Sequence, residues 1–430
     1  MKILVCNAID TYFLETRDIR AFSYRGLWFL GPDDLAVTSG LPPADFLDHI
    51  SLIVGQRGRC QVIAAPNNEG IPILESSDLH SSSIVKRVSE LASVVNDLDA
   101  LWPTFAVAEL ARRGGVEDKC LWANFVNEDG ANLVNNKALF RAHARLLTIP
   151  IAEGGSTYTA EAAIAIAERL LKKYTAVILK RAHGGAGAAN ILFYGQGFDN
   201  DPAASGAKRA IALSSNGNDL PSSIRSHWEF LSRAGRFPVV VEAYLPNDGT
   251  FYVEYFIHDH GYDLPNFGQL FFGHNSLSHE QLPSSPPGEG RSTLEAIGNR
   301  VAQYLFQLGY RGYVSLDSIL AKNGTIVATE INSRYTSSTH LYRLKERLLT
   351  ESCDKNKTVS QFITPDAWDS VSQFEDVLRK RGLLFDRAKG EGCLILTPPL
   401  GSAKDPAPLF VNWIHGPGEP VKPLFQALAR

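Results

Sequence analysis

The stretch GYVSLDSILAKNGTIVATEINSR, residues 312–334, contains two strand-like runs that meet at Asn323–Gly324. Asn-Gly is the strongest short-range signal for a two-residue type I′ hairpin, because both turn positions need positive φ. A turn centred there sets Asp317 opposite Glu330 and Ser315 opposite Asn332. Directly opposed residues have Cβ atoms about 4.5–5.5 Å apart. The two carboxylates would repel, and one would hold a proton, unless a cation sat between them. Asn332 adds a neutral oxygen on the same face two residues on, and Arg334 stands at its rim. Hard oxygen ligands without sulfur or imidazole suit Mg2+ or Mn2+ better than zinc. The bland alternative is a solvated sheet face; it leaves the alignment of two acids, an amide and an arginine unexplained.

Magnesium commonly shares its shell with water and nucleotide phosphates, so phosphate-binding groups are expected elsewhere in the chain. Lys180 ends the apolar strand AVILK and precedes RAHGGAGAAN, where the backbone of Gly184, Gly185, Ala186 and Gly187 is free to approach phosphates closely. Lys137, near a helix start, offers a second cation. VVVEAYLPND reads as an adenine-binding hinge. There Glu242 accepts from an exocyclic amine, the backbone of Ala243 to Leu245 meets the ring edge, and Asp248 holds ribose hydroxyls. Taken singly, a Gly/Ala loop is often a plain turn and a lone lysine is usually solvated.

Composition bounds the rest. The 430 residues favour two or three domains, and 44% hydrophobic with 20% charged residues is ordinary for a soluble globular protein. A formal charge of −4 without a basic run argues against nucleic acid. No apolar run reaches membrane-span length, and MKILVCNAID turns polar too soon for a signal peptide. The cysteines at 6, 60, 120, 353 and 393 are scattered without metal-ligand spacing, which fits a reducing cytoplasm.

Residues 1–115 read as an α/β region, with strands KILVCN, DLAVTSG and CQVIAAP and helices ADFLDHISLIV and SIVKRVSELASVV. It carries neither GxGxxG nor GxxxxGK. Residues 116–240 hold the helix NNKALFRAHARLL, opened by Asn135 or Asn136, and TAEAAIAIAERLLKKY, capped by Thr159. Residues 241–365 add TFYVEYFIH, GQLFFG, a helix ended by Gly309, and the hairpin. Residues 366–430 are expected as an extension packing on that core. The Ser/Gly/Pro/Asp-rich loops 199–219 and 282–290 are candidate lids.

The order Lys137, Lys180 with its glycine loop, the Glu242 hinge, Asp317 and then Glu-x-Asn-x-Arg resembles the ATP-grasp superfamily over about residues 120–350. The resemblance implies an α/β (α+β) fold whose two subdomains clamp ATP, and chemistry that joins a carboxylic acid to a nucleophile through an acyl phosphate. It puts Lys137, Lys180 and the glycine loop on phosphates, Glu242, Ala243 and Leu245 at adenine, and Asp248 at ribose. Asp317, Glu330 and Asn332 fall on the metal, and Arg334 on the carboxylate or acyl phosphate. There are departures: the ribose acid is usually Glu, Asp248 sits one place early, and Ser315 stands where several amino-acid ligases carry Arg.

Upstream, RGLWFLGPDDLAVTSGLPPADFLDHI resembles the pre-ATP-grasp domain of pheganomycin-type peptide ligases, where a Trp-containing strand precedes a tight turn and a helix. This implies a ligase of specialised metabolism acting on small-molecule or peptide carboxylates and amines. His274 and Arg291 are further candidates for substrate contact, and a homodimer is left open. The rival readings are transfer to a carrier-protein thiol, a non-catalytic ATP-binding module, and a phosphotransferase.

Overall fold

The computed structural model describes residues 1–7, 20–65, 74, 76–184, 187, 189–215, 217–273, 276–349, 357–399 and 407–416. Its N-terminal sheet is parallel, in the order Gln61–Ala64, Leu35–Thr38, Lys2–Val5, Asp97–Ala100. The first three are the expected apolar runs. The fourth, DLDA, alternates acid and apolar residues over only four positions, too short a pattern to stand out.

Helix Ala44–Val54 buries Phe46, Ile50 and Ile53, and it stops at Gly55, whose φ of +68° lets the chain leave in the left-handed region. The Trp-containing segment, expected as a strand, is a 3-10 turn at Arg25–Phe29. It lies flat on the first strand, close enough that a Cβ at Gly26 would sit 2.8 Å from the Cys6 sulfur. Trp28 is thereby fully buried, with its indole N–H donating to the Leu396 carbonyl at 3.2 Å.

A second sheet has the order Gly154–Thr157, Val239–Ala243, Ala176–Arg181, Asn190–Tyr194, Arg209–Ala212. Helices Ala160–Leu171 and Leu220–Ser232 bury Ala163, Leu170, Ile224 and Leu231 in one core with Val177, Leu179 and Val241 of this sheet. Thr159 caps the first helix by accepting from the Ala162 amide at 3.3 Å, as its sequence predicts.

The third sheet is antiparallel and eight-stranded, running from Ile326–Asn332 through Gly312–Ala321, Asn247–His258, Gly261–Gly273, Ser276–Leu282, Thr358–Trp368 and Ala407–His415 to Gly392–Ile395. Strands from beyond residue 357 therefore continue the sheet that holds the hairpin. The same C-terminal segment also reaches the N-terminal region, because Phe374 and Leu378 of helix Val371–Lys380 share a core with Trp28, Phe46 and Ile50. Buried apolar side chains of this size contribute about 1.5–3 kcal/mol each. His49 adds a polar tie: Nδ1 lies 2.6 Å from Glu375 Oε2, and Nε2 accepts from the Ile395 amide at 3.0 Å. Burial holds this imidazole below its ordinary pKa although Glu375 pulls the other way, and the acceptor role at Nε2 requires the neutral ring.

Among the described residues no helix is long and apolar enough to cross a membrane. The described cysteines Cys6, Cys60, Cys120 and Cys393 are free thiols.

Candidate active site

The hairpin pairs Asp317 with Glu330 and Ser315 with Asn332, as its sequence predicts, but by a different geometry. Only Gly324 has positive φ (+82°), so no type I′ turn forms. Residues 322–324 make a longer turn closed by Ala321 and Thr325, and next to it Leu320 pairs with Ile326 and Ile319 with Val327. A bulge beyond Ala328 then leaves Thr329 outside the ladder, its hydroxyl donating to the Asp317 carbonyl at 3.1 Å. The two one-residue offsets cancel, and the acids meet.

Asp317 accepts from the Ser315 hydroxyl at 3.0 Å and from the Asn332 amide at 3.1 Å. Burial, and then the charge of Glu330, push its pKa up to about 8. Burial acts on Glu330 as well, yet Lys137, 2.6 Å away, with Arg334 and Lys180 behind it, holds this carboxyl below its ordinary range. The pair is thus one neutral acid beside one anion. The donor set of two opposed carboxyls and an amide fits a hard divalent cation, which would displace the Asp317 proton.

An acid whose folded pKa is raised stabilises the fold most below its unfolded pKa, and that contribution is lost as pH rises towards 8. The increase in melting temperature on adding Mg2+ with ADP is therefore expected to be larger at pH 8 than at pH 6. An increase of the same size at both values would separate Asp317 from the metal.

Lys137 opens helix Lys137–Leu146, whose N-cap is Asn136, accepting from Ala138 and Leu139. Its ammonium also donates to the Gly184 carbonyl, so one side chain joins the glycine loop to Glu330. Asn135, freed from capping, accepts from the Ser333 amide at 2.9 Å and from Arg334 Nη1 at 3.0 Å. The Arg334 guanidinium lies 4.1 Å above the Trp102 ring, beyond the end of strand Asp97–Ala100. Gly187, with φ +70°, packs so closely on the turn at Gly206 that a Cβ would lie 2.1 Å from its carbonyl oxygen. Gly185, Ala186 and His274 lie outside the described residues.

Lys180 stands 2.7 Å from Glu242, and the other oxygen of Glu242 is held by Arg141. Glu242 is only 6% exposed. As the protein stands its oxygens serve two internal cations, while the Ala243 amide donates to the Glu153 carbonyl at 2.8 Å. The Leu245 carbonyl accepts from Asn247 at 3.3 Å, and Asp248 is exposed at the start of the next strand. Arg291 is taken up on its own helix by Glu295 at 2.8 Å, with its guanidinium over Phe267. Arg141 was not among the expected residues, although its i+4 spacing from Lys137 puts both on one helix face. Burial first, then Lys137, pushes His183 down to about 4, so it is neutral beside Asn136.

An N-terminal parallel domain, a smaller sheet carrying the glycine loop, and a large antiparallel sheet carrying the acid pair make up the ATP-grasp fold. Residues 23–116 match the family model of the pre ATP-grasp domain. The whole chain is similar in structure to an N5-carboxyaminoimidazole ribonucleotide synthetase in complex with ADP, with TM-score 0.58 at 11% identity over 99% of this chain and 94% of that one. It is similar as well to the synthase of Aspergillus clavatus with ADP and 5-aminoimidazole ribonucleotide (TM-score 0.56, 13% identity, 94% of this chain and 100% of that one). The biotin carboxylase domain of the Hydrogenobacter thermophilus 2-oxoglutarate carboxylase, solved with MgADP and bicarbonate, gives TM-score 0.55 at 14% identity, over 97% of this chain and 86% of that one. No curated protein sequence matches the chain.

Proposed function

We propose that the chain is an ATP-dependent carboxylate–amine ligase of the ADP-forming kind, acting on an amino acid or small peptide in the manner of the pheganomycin-type peptide ligases. The observation that carries this reading is the Asp317–Glu330 pair, flanked by Asn332 and bridged by Lys137 to the glycine loop. Nucleotide complexes of structural relatives add support for ATP as the phosphoryl donor and Mg2+ as its metal.

The step balances without a protein nucleophile. A carboxylate oxygen of the substrate bonds to the γ-phosphorus of ATP, the bond to ADP breaks, and an acyl phosphate results. An amine nitrogen then attacks the carbonyl carbon, loses a proton and expels phosphate. A divalent cation on Asp317, Glu330 and Asn332 supplies charge neutralisation to the transferring phosphoryl group. Lys137, poised between Glu330 and the Gly184 carbonyl, and Lys180, poised on Glu242, bring two further positive charges to the same region. Arg334, fixed by Asn135 and Trp102, steadies the acyl group. The glycine loop and the segments 199–219 and 282–290 exclude water from the acyl phosphate.

An ADP-release screen over pairs of amino acids and dipeptides, with products identified by mass spectrometry, tests the reading. ADP formation that requires both partners, with an amide product one water lighter than their sum, is expected. Replacing the amine with hydroxylamine is expected to give the hydroxamate of the activated acid. ADP release with bicarbonate as the sole acid would assign the chain to carboxylation instead, and no ADP with any carboxylate would leave a binding module.

A further inference from the structure

A cleft of about 720 Å³ opens between the N-terminal domain and the large antiparallel sheet, with Asp99, Trp122, Tyr313, Tyr335, Arg334 and Arg343 in its wall. Its volume lies in the range of small-molecule sites, about 300–1,000 Å³. Most charges in it are already matched. Lys2 pairs with Asp97 at 2.8 Å, Lys119 with Asp118 at 2.5 Å, and Arg347 donates to the carbonyls of Trp28 and Leu30.

Arg343 is different. Its hydrogen bond goes to the Tyr335 hydroxyl at 2.5 Å, its guanidinium sits 4.8 Å from the Phe29 ring centre, and no described carboxylate forms a salt bridge with it. Tyr335 donates its own proton to Asp99 at 2.6 Å, and Asp99 is also bonded by the Trp122 indole at 3.1 Å. The Asp99–Tyr335 bond therefore fixes the phenol oxygen as an acceptor and aims the guanidinium. The Asp99 charge reaches Arg343 only through Tyr335, and Glu346 on the same helix makes no salt bridge with it. A partly desolvated guanidinium that is oriented but has no direct carboxylate partner is the complement of a carboxylate ligand.

Arg334, which also lines the cleft, indicates which end of that ligand reacts. It stands two residues beyond Asn332 on the chain that carries Glu330, and is held there by Asn135 at 3.0 Å. We propose that this cleft is the amine-substrate site, and that it takes an amino acid or short peptide with a free C-terminal carboxylate. Arg343 grips that carboxylate, the half-buried Tyr313 and Tyr342 rings receive the side chains, and the amine lies towards Arg334. Next to a guanidinium the amine is favoured in its neutral, nucleophilic form. The assignment of the amine end rests on the ligase reading; the carboxylate site at Arg343 does not.

The test is calorimetric binding, without ATP, of Gly-Phe, Gly-Leu and Gly-Tyr and of their C-terminal amides. At least one free acid is expected to bind the wild-type protein 10-fold or more tighter than its amide, on the order of one charge-assisted bidentate pair. In Arg343→Gln that preference is expected to fall below about 3-fold, and Arg343→Lys is expected to recover part of it. The comparison of acid with amide in the wild type needs no variant, so misfolding of Arg343→Gln cannot obscure it. Equal affinities, or no binding by any free acid, would overturn the proposal. If the free acids are preferred but ADP never forms, the ligase reading falls and the carboxylate site stands. If ADP forms equally well with acids and amides, the ligase reading stands and this one falls.

Discussion

Glu330→Gln is expected to lower substrate-dependent ADP formation by about 10²–10⁴-fold, the equivalent of several kcal/mol of charge stabilisation at the phosphoryl group. The substitution keeps the side chain's shape but removes the anion from between the metal position and Lys137. Lys137 keeps its bond to the Gly184 carbonyl, so the loop stays anchored and the protein is expected to fold. Asp317→Asn is a different perturbation with a comparable kinetic outcome. Since Asp317 has its pKa near 8, the metal-free protein at pH 6 already carries an uncharged group there, and the melting temperature without Mg2+ is expected to change little. The Mg2+-dependent rise in melting temperature should nevertheless disappear. Turnover near the wild-type level in Glu330→Gln would remove the acid pair from the chemistry, and with it the central support for the ligase reading.

How much of this site the sequence carried depends on the range of the contacts involved. The acid pair was legible because a hairpin is local: the strands it joins follow each other, and their register depends on a single turn. That register came out right through compensation, since the turn is longer than Asn-Gly implies and the Thr329 bulge restores the pairing. Helix caps were equally local: Thr159 acts as its position predicts, and of Asn135 and Asn136 the structure uses Asn136. Trp102 under Arg334 was not legible, because the two are brought together only when the N-terminal domain docks on the large sheet. The same holds for Asp99, Tyr335 and Arg343, whose relay links a short edge strand to a helix far along the chain. Helix Ser337–Leu348 did leave a local mark, a capping box between Thr336 and Thr339 that follows the hairpin at once. Strand Ala407–His415 left little, since APLFVNWIH has a proline at its second position and follows a Pro-rich stretch.

Loss of Glu242 is expected to have the largest effect on stability of any single change in the site. Its carboxylate sits between Lys180 and Arg141, with side-chain exposures of 10%, 4% and, for Glu242 itself, 8%. Glu242→Ala would leave two cations buried without an anion, and removing one partner of a buried ion pair costs about 3–5 kcal/mol. Arg141→Met is expected to cost less, because Lys180 continues to neutralise Glu242 and the Arg141 bond to the Ala152 carbonyl is a neutral acceptor's loss. Replacing all three together by Met, Met and Leu removes every charge at once, and its cost is expected to be smaller than that of Glu242→Ala alone, since apolar replacement of a whole buried ionic set is often neutral or better. Urea-unfolding midpoints of the three proteins measure this ordering. If Glu242→Ala proves the mildest of them, the triad is not acting as a desolvated ionic unit. Glu242→Gln then separates structure from nucleotide binding, because the amide keeps an oxygen acceptor while its charge is lost. At a fixed ligand concentration, linkage raises the melting temperature with the logarithm of affinity for the folded state. A smaller ADP-induced rise in Glu242→Gln than in wild type, beyond its own loss of stability, would place Glu242 at the nucleotide; an unchanged rise would confine it to holding Lys180 and Arg141 in place.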